Sequence, residues 1–172
     1  RCVLWIRVTQ AALDTPVTDR RAPGTDKRAW LTRMLRAAQV SGGRAELCVG
    51  STLLVSFDSI DMEEAVDFGQ HLLDVARESA PPVAVHVGLA LGEVARHTEG
   101  ESDLYIGEAF DRAQALSQLA GAYEIVFDAT AAQRGREPWL FSREESAGQL
   151  RGYALEPEHF SKRACRAALA RL

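Results

Sequence analysis

Apolar positions along this chain change their spacing several times, and each change marks a new element. Residues 2–8 (CVLWIRV) form a continuous apolar and β-branched run interrupted only by Arg7, the pattern of a central strand buried on both faces. After a Pro-, Gly- and Asp-containing loop over 11–24, the spacing switches to three and four. Trp30, Leu31, Met34, Leu35 and Ala38 then share one helix face, with Arg28, Arg33 and Arg36 off it. Thr25 or Asp26 is placed to cap this helix, and Gly42-Gly43 to end it. Residues 44–49 and 52–57 read as two strands of a hairpin turning at Gly50-Ser51.

Asp61 with Glu64 gives a capping-box signature ahead of Ala65, Val66, Phe68, Leu72, Leu73 and Val75, an amphipathic helix closed by Pro81-Pro82. Residues 83–94 read as a strand carrying Gly88 and Gly92, and 96–103 as a polar, acidic loop. Ala109, Phe110, Ala113, Leu116 and Leu119 predict a helix over 107–119, followed by a short strand at 124–127 and a helical turn at 130–133. Residues 139–142 and 149–155 are candidate strands, and a mildly basic helix follows Pro157. The order βαββαβ followed by αβ predicts an α+β fold: a ferredoxin-like core whose antiparallel sheet is covered by helices, with a C-terminal αβ extension.

Composition narrows the function classes. A chain of 172 residues fits one domain, 1–172, and 47% hydrophobic with 26% charged residues is the balance of a soluble globular protein. A net charge of -4 offers no general attraction to phosphate backbones, so no nucleic-acid partner is expected. Apolar runs such as 83–87 fall far short of the ~20 residues that cross a bilayer, and no leader pattern opens the chain. A cytoplasmic domain that does not insert into a membrane is the expectation. Because the first residue is Arg1, the sequence reads as a piece of a longer, multidomain protein.

Metal and nucleotide signals are weak. Cys2, Cys48 and Cys165 are odd in number and far apart, which suits reduced thiols. His71, His86, His97 and His159 never occur at ligand spacing, and His86 reads as a structural histidine within a strand. Asp58, Asp61, Glu63 and Glu64 read as a charged helix start rather than a metal cluster. Arg20, Arg21, Lys27, Arg28, Arg33 and Arg36 read as a solvated helix face rather than an anion site. The chain contains no G-x-S-x-G, P-loop or G-x-G-x-x-G motif.

A collinear set of longer motifs carries more. HVGLALGEV (86–94) resembles the class III nucleotidyl cyclase strand (R/I)-I-G-I-(H/A)-x-G-x-V. GEAFDRAQALSQL (107–119) is similar to the family helix G-x-x-V-N-x-A-A-R-L. Residues 121–130 follow at the distance of the family's next segment, G-x-(I/V)-x-(V/L)-(S/D)-x-(A/T)-(T/A). Residues 2–8, 42–57 and 62–76 fall in order at its first strand, metal hairpin and second helix, so the resemblance spans nearly all of 2–130. It implies the nucleotide cyclase fold and domains that pair head to tail, building their sites at the interface.

The resemblance also implies which positions would carry chemistry. Two aspartates in such cyclases hold two divalent metals that activate the ribose 3′-hydroxyl and neutralise the triphosphate. The first ends the first strand, where Arg7 stands; the second is central in a G-D-G turn, where Gly50-Ser51-Thr52 puts Ser51. The purine-reading lysine corresponds to Leu47 and its aspartate partner to Leu104, with Asp103 one residue away. The transition-state asparagine corresponds to Asp111 and the phosphate-stabilising arginine to Ala115, with Arg112 adjacent but about 100° round the helix. All six positions are degenerate, and no aspartate lies in 2–10 or 44–57 to recover the metal pair by a register shift.

The resulting expectation is a catalytically inactive cyclase homology domain with no catalytic residue, metal or cofactor. It would act as a regulatory, dimerisation or partner-docking module in signal transduction, with a protein partner or second copy. The alternative is a degenerate nucleotide sensor or weak cyclase holding nucleotide through backbone groups and Arg7. Leucines at 47 and 104 weigh against nucleotide binding, because they remove the base hydrogen bonds that give a pocket its selectivity.

Overall fold

In the computed structural model the described residues are 1–10, 27–79, 83–99, 102–134 and 139–156. The elements in chain order are β1 (Cys2–Gln10), α1 (Lys27–Val40), β2 (Arg44–Val49), β3 (Thr52–Phe57) and α2 (Met62–Glu78). There follow β4 (Val83–Leu91), β5 (Ala95–Glu99), β6 (Ser102–Ile106), α3 (Glu108–Leu119), β7 (Glu124–Asp128), α4 (Ala129–Ala132), β8 (Phe141–Ala147) and β9 (Leu150–Leu155). Seven strands form one sheet in the order β2-β3-β1-β4-β7-β9-β8. All its neighbours are antiparallel except β4 and β7, which are parallel because α3 carries the chain back across the sheet between them.

The unbroken apolar run of β1 follows from its place between β3 and β4. Cys2, Leu4, Ile6 and Val8 enter a core with Trp30 and Met34 of α1 and Phe68 and Leu72 of α2. Val3 enters a second core on the opposite face with Ala109, Phe110, Ala113 and Leu116 of α3, where Trp5 is half-buried. Both faces are thus covered, as the α+β expectation requires. The predicted helix faces are the observed ones, and α1 ends where expected: Gly42 adopts φ +79°, and the Gly43 N–H bonds the Ala38 carbonyl at 2.8 Å.

Several expectations need correction. Residues 96–99 and 102–103 are strand rather than loop: β5 and β6 pair from Ala95 opposite Ile106 to Glu99 opposite Ser102, as a hairpin outside the main sheet. Its first strand, ARHTE, lacks an apolar alternation to betray it. Nor does the capping box at Asp61 form. A 3₁₀ turn (Ser59–Asp61) feeds α2 directly, Asp61 sits at φ -99°, ψ 32° rather than extended, and its side chain makes no cap bond. β4 ends at Leu91 rather than residue 94, the helical turn begins at Ala129, and β8 runs on to Ala147. The loop at 11–24, the cap at 25–26, Pro81-Pro82, the helix after Pro157 and Cys165 lie outside the described residues. Among the described residues no helix is long and apolar enough to cross a membrane.

Candidate functional site

Arg7 lies near the end of β1, opposite Thr52 of β3 on one side and His86 of β4 on the other. The next residue ties the strand to the hairpin turn, since the Val8 N–H bonds the Ser51 carbonyl at 2.8 Å. The fold therefore brings Arg7 beside the β2–β3 turn that carries Ser51, as the cyclase resemblance implies for its metal aspartates. What they present differs. The Arg7 side chain turns toward α3, and Nη2 donates to the Ser117 carbonyl at 3.0 Å, while Nε is buried without a partner among the described residues.

A fixed guanidinium and a hydroxyl do not make a divalent-metal site, because one supplies positive charge and the other a single neutral oxygen. Among the described residues no group of three His, Cys, Asp or Glu side chains is arranged to hold a metal ion. The two-metal arrangement thus does not fit these residues. Cys2 supplies no reactive thiol either, as burial pushes its pKa up to about 12.

The remaining positions are dispersed. Leu47 on β2 pairs with Leu54, whereas Leu104 on β6 pairs with His97 in the separate hairpin. Asp111 is exposed and Ala115 half-buried, one turn apart on α3, away from the buried Ala109, Ala113 and Leu116. Arg112 between them is committed to the fold: Nε bonds the buried Asp128 at 3.0 Å, Nη2 the Leu91 carbonyl at 2.9 Å, and Nη1 the exposed Glu108 at 3.3 Å. Beside it a cleft of about 780 Å³ opens between the start of α3 and the base of the β5–β6 hairpin, with Val94 and Ile106 in its lining.

At the other end of α3 the polar groups converge. His86 Nδ1 donates to the Ala120 carbonyl at 2.9 Å and Nε2 meets Thr9 Oγ1 at 3.0 Å, so both ring nitrogens are satisfied and the histidine is structural. Arg143 Nη2 donates to the Leu119 carbonyl at 3.2 Å, Nε bonds Glu145 at 2.9 Å and Nη1 bonds Glu124. Glu124 also accepts the Gly121 N–H at 2.6 Å. Burial acts to raise the Glu124 pKa, but the Arg143 and Gly121 hydrogen bonds, with the charges of Arg143 and His86, outweigh it and hold the carboxyl below its ordinary value.

This carboxylate therefore adds stability above the ordinary carboxylate range, and the contribution is lost as pH falls through the lowered folded value. Glu124→Gln is expected to cost about 1 kcal/mol near neutral pH and progressively less in acid. Urea melts of the two proteins at neutral and acidic pH check it; a gap of equal size at both would count against the pairing.

Sequence reasoning did not single out Glu124, Asp128, Arg143 or Glu46. Glu46 was the most legible, an acid in the otherwise apolar run ELCV. Its side chain is 5% exposed, accepts from Ser56 Oγ at 2.5 Å, and sits where the β2–β3 register shifts between Ala45 and Leu47.

No family model matches the chain, and no curated protein is similar to it in sequence. Solved structures are similar in fold. The guanylyl cyclase domain of the RhoGC fusion protein from the aquatic fungus Blastocladiella emersonii, in a monomeric crystal structure of a double mutant, has a TM-score of 0.70 at 12% identity, covering 90% of this chain and 93% of that one. A dimeric crystal structure of that domain has a TM-score of 0.69 at 14% identity, covering 90% and 94%. The adenylyl cyclase CyaB from P. aeruginosa has a TM-score of 0.69 at 15% identity, covering 90% and 92%. With both faces of the sheet covered and the parallel β4–α3–β7 crossover in place, the chain has the fold of class III adenylyl and guanylyl cyclase catalytic domains.

Proposed function

We propose that this is a catalytically inactive cyclase homology domain that works through its shape and surfaces, as a regulatory, dimerisation or partner-docking module in signal transduction. One observation carries the reading: the side chain in the metal-aspartate position of β1 is Arg7, a cation spent on the Ser117 carbonyl rather than facing a metal. The second metal position offers only Ser51, and the transition-state pair is an exposed carboxylate and a methyl group, Asp111 and Ala115. With those groups goes the electrostatic stabilisation that a phosphoryl-transfer site supplies.

The β5–β6 hairpin supports an interaction role. Two strands alone are marginally stable in water, this pair shares no ladder with the main sheet, and its Ile106 is 56% exposed beside the cleft. The Blastocladiella domain has been crystallised in both monomeric and dimeric forms, so its fold is compatible with either state.

Purified domain given ATP or GTP with Mg²⁺ or Mn²⁺ is expected to produce no cyclic nucleotide above a protein-free control; measurable turnover overturns the proposal. Light scattering separates self-association from docking to another protein, since a homodimer has twice the 18.8 kDa mass. Calorimetric heat on titrating ATP or GTP would favour the nucleotide-sensor alternative, and silence at millimolar ligand removes it.

A further inference from the structure

We infer that the strand position given to a metal aspartate by the cyclase resemblance has here become a helix clamp, with Arg7 as the positioning residue that fixes α3 against the sheet. The last turn of a helix leaves carbonyls without intrahelical partners. Three strands supply the missing donors: Arg7 from β1 to Ser117, His86 from β4 to Ala120 and Arg143 from β8 to Leu119. The two arginines place fixed positive charge at the negative end of the helix dipole.

Arg7 differs from Arg143 in its partners among the described residues. Arg143 is paired with Glu124 and Glu145, whereas Arg7 has no carboxylate within ion-pair distance among the described residues and one N–H left buried and unbonded. Its Ser117 contact is the one that orients the guanidinium. The helix also meets the sheet closely here: a Cβ built on Gly88 would lie 1.9 Å from the Ala113 carbonyl oxygen and 2.4 Å from the backbone nitrogen of Ser117. Close packing at Gly88 stops α3 from moving inward, and Arg7 holds Ser117 against moving outward. The clamp requires neither metal nor ligand, and it stands whether or not a partner docks on α3.

Hydrogen–deuterium exchange on the whole domain tests this. Arg7→Met, which keeps much of the side-chain length but no donor, is expected to speed exchange in the last turn of α3 by roughly tenfold. Amides of α1 and α2 should stay within about twofold of wild type, and Arg7→Lys should restore a substantial part of the lost protection. Neither Mn²⁺ nor EDTA should alter the wild-type pattern. If Arg7→Met does not fold, Arg7→Gln, which retains a shorter donor, takes its place in the comparison with Arg7→Lys. The clamp is overturned by unchanged exchange at the end of α3, by equal loosening throughout the domain, by absence of rescue in Arg7→Lys, or by wild-type protection that depends on Mn²⁺.

Discussion

Gly88→Ala is expected to lower the unfolding free energy by about 3 kcal/mol, the upper end of ordinary overpacking. A methyl group there would lie 1.9 Å from the Ala113 carbonyl oxygen and 2.4 Å from the Ser117 nitrogen, both backbone atoms of α3. Neither can rotate away, so the helix must lift off β4, opening the core that contains Ala109, Phe110, Ala113 and Leu116. Gly92→Ala is the natural control. Its methyl group would meet Arg112 Nη2 at 2.8 Å, the far end of a long side chain, and Ala109 Cβ at 3.3 Å. It should cost less than about 1 kcal/mol. At 172 residues, about 3 kcal/mol corresponds to a fall of roughly 6–12 °C in Tm. If the two alanine variants melt together, the backbone-to-backbone contact between α3 and β4 is wrong.

The second large effect is expected at Asp128, whose replacement by alanine should cost about 3–4 kcal/mol. This carboxylate is 2% exposed. Oδ1 accepts the Ala131 N–H at 2.7 Å, capping α4, and Oδ2 accepts from Arg112 Nε at 3.0 Å. Alanine removes both acceptors and leaves an arginine side chain only 30% exposed with the exposed Glu108 in place of its buried ion-pair partner. Asp128→Asn keeps the shape and an acceptor for the cap but loses the charge, so it should fall between alanine and wild type. Urea denaturation of the three proteins decides; a loss below about 1 kcal/mol in Asp128→Ala would show that Arg112 finds other partners and the cap contributes little.

The cap at Asp128 and the missing cap at Asp61 show where local patterns mislead. Asp61 has the right sequence neighbours, with Glu64 three residues on, yet the 3₁₀ turn delivers it in a conformation from which its side chain does not cap. Asp128 has no comparable signature, yet β7 delivers it extended, at ψ 167°, and its oxygen reaches Ala131. Capping depends on backbone direction at a single residue, and tertiary packing sets that direction. The β5–β6 pair escapes a periodicity reading for a related reason: it forms its own two-stranded sheet, and its first strand, ARHTE, shows no alternation of apolar and polar residues.

The candidate site divides along the same line. Its residue identities were legible, because Arg7, Ser51, Leu47, Leu104, Asp111 and Ala115 can be placed by counting from neighbouring glycines and strands. That Arg7 and Ser51 become neighbours followed from the hairpin register and is what the fold gives. The bond from Arg7 to a carbonyl 110 residues away was not legible, nor were Arg143 and His86 converging on the same helix end. These groups belong to β1, β4, β8 and α3, and no spacing rule links them.

By itself, then, the sequence determined the element types outside the β5–β6 pair, the faces that enter the two cores, and the absence of an aspartate at either position that the cyclase resemblance gives to a metal. These depend on periodicity, on glycine placement and on which side chains are present, all of which are local. Only the tertiary structure decided what Arg7 does instead. A long cation can reach several acceptors, and which one it meets is fixed when α3 docks at Gly88 and brings its terminal carbonyls over β1 and β4.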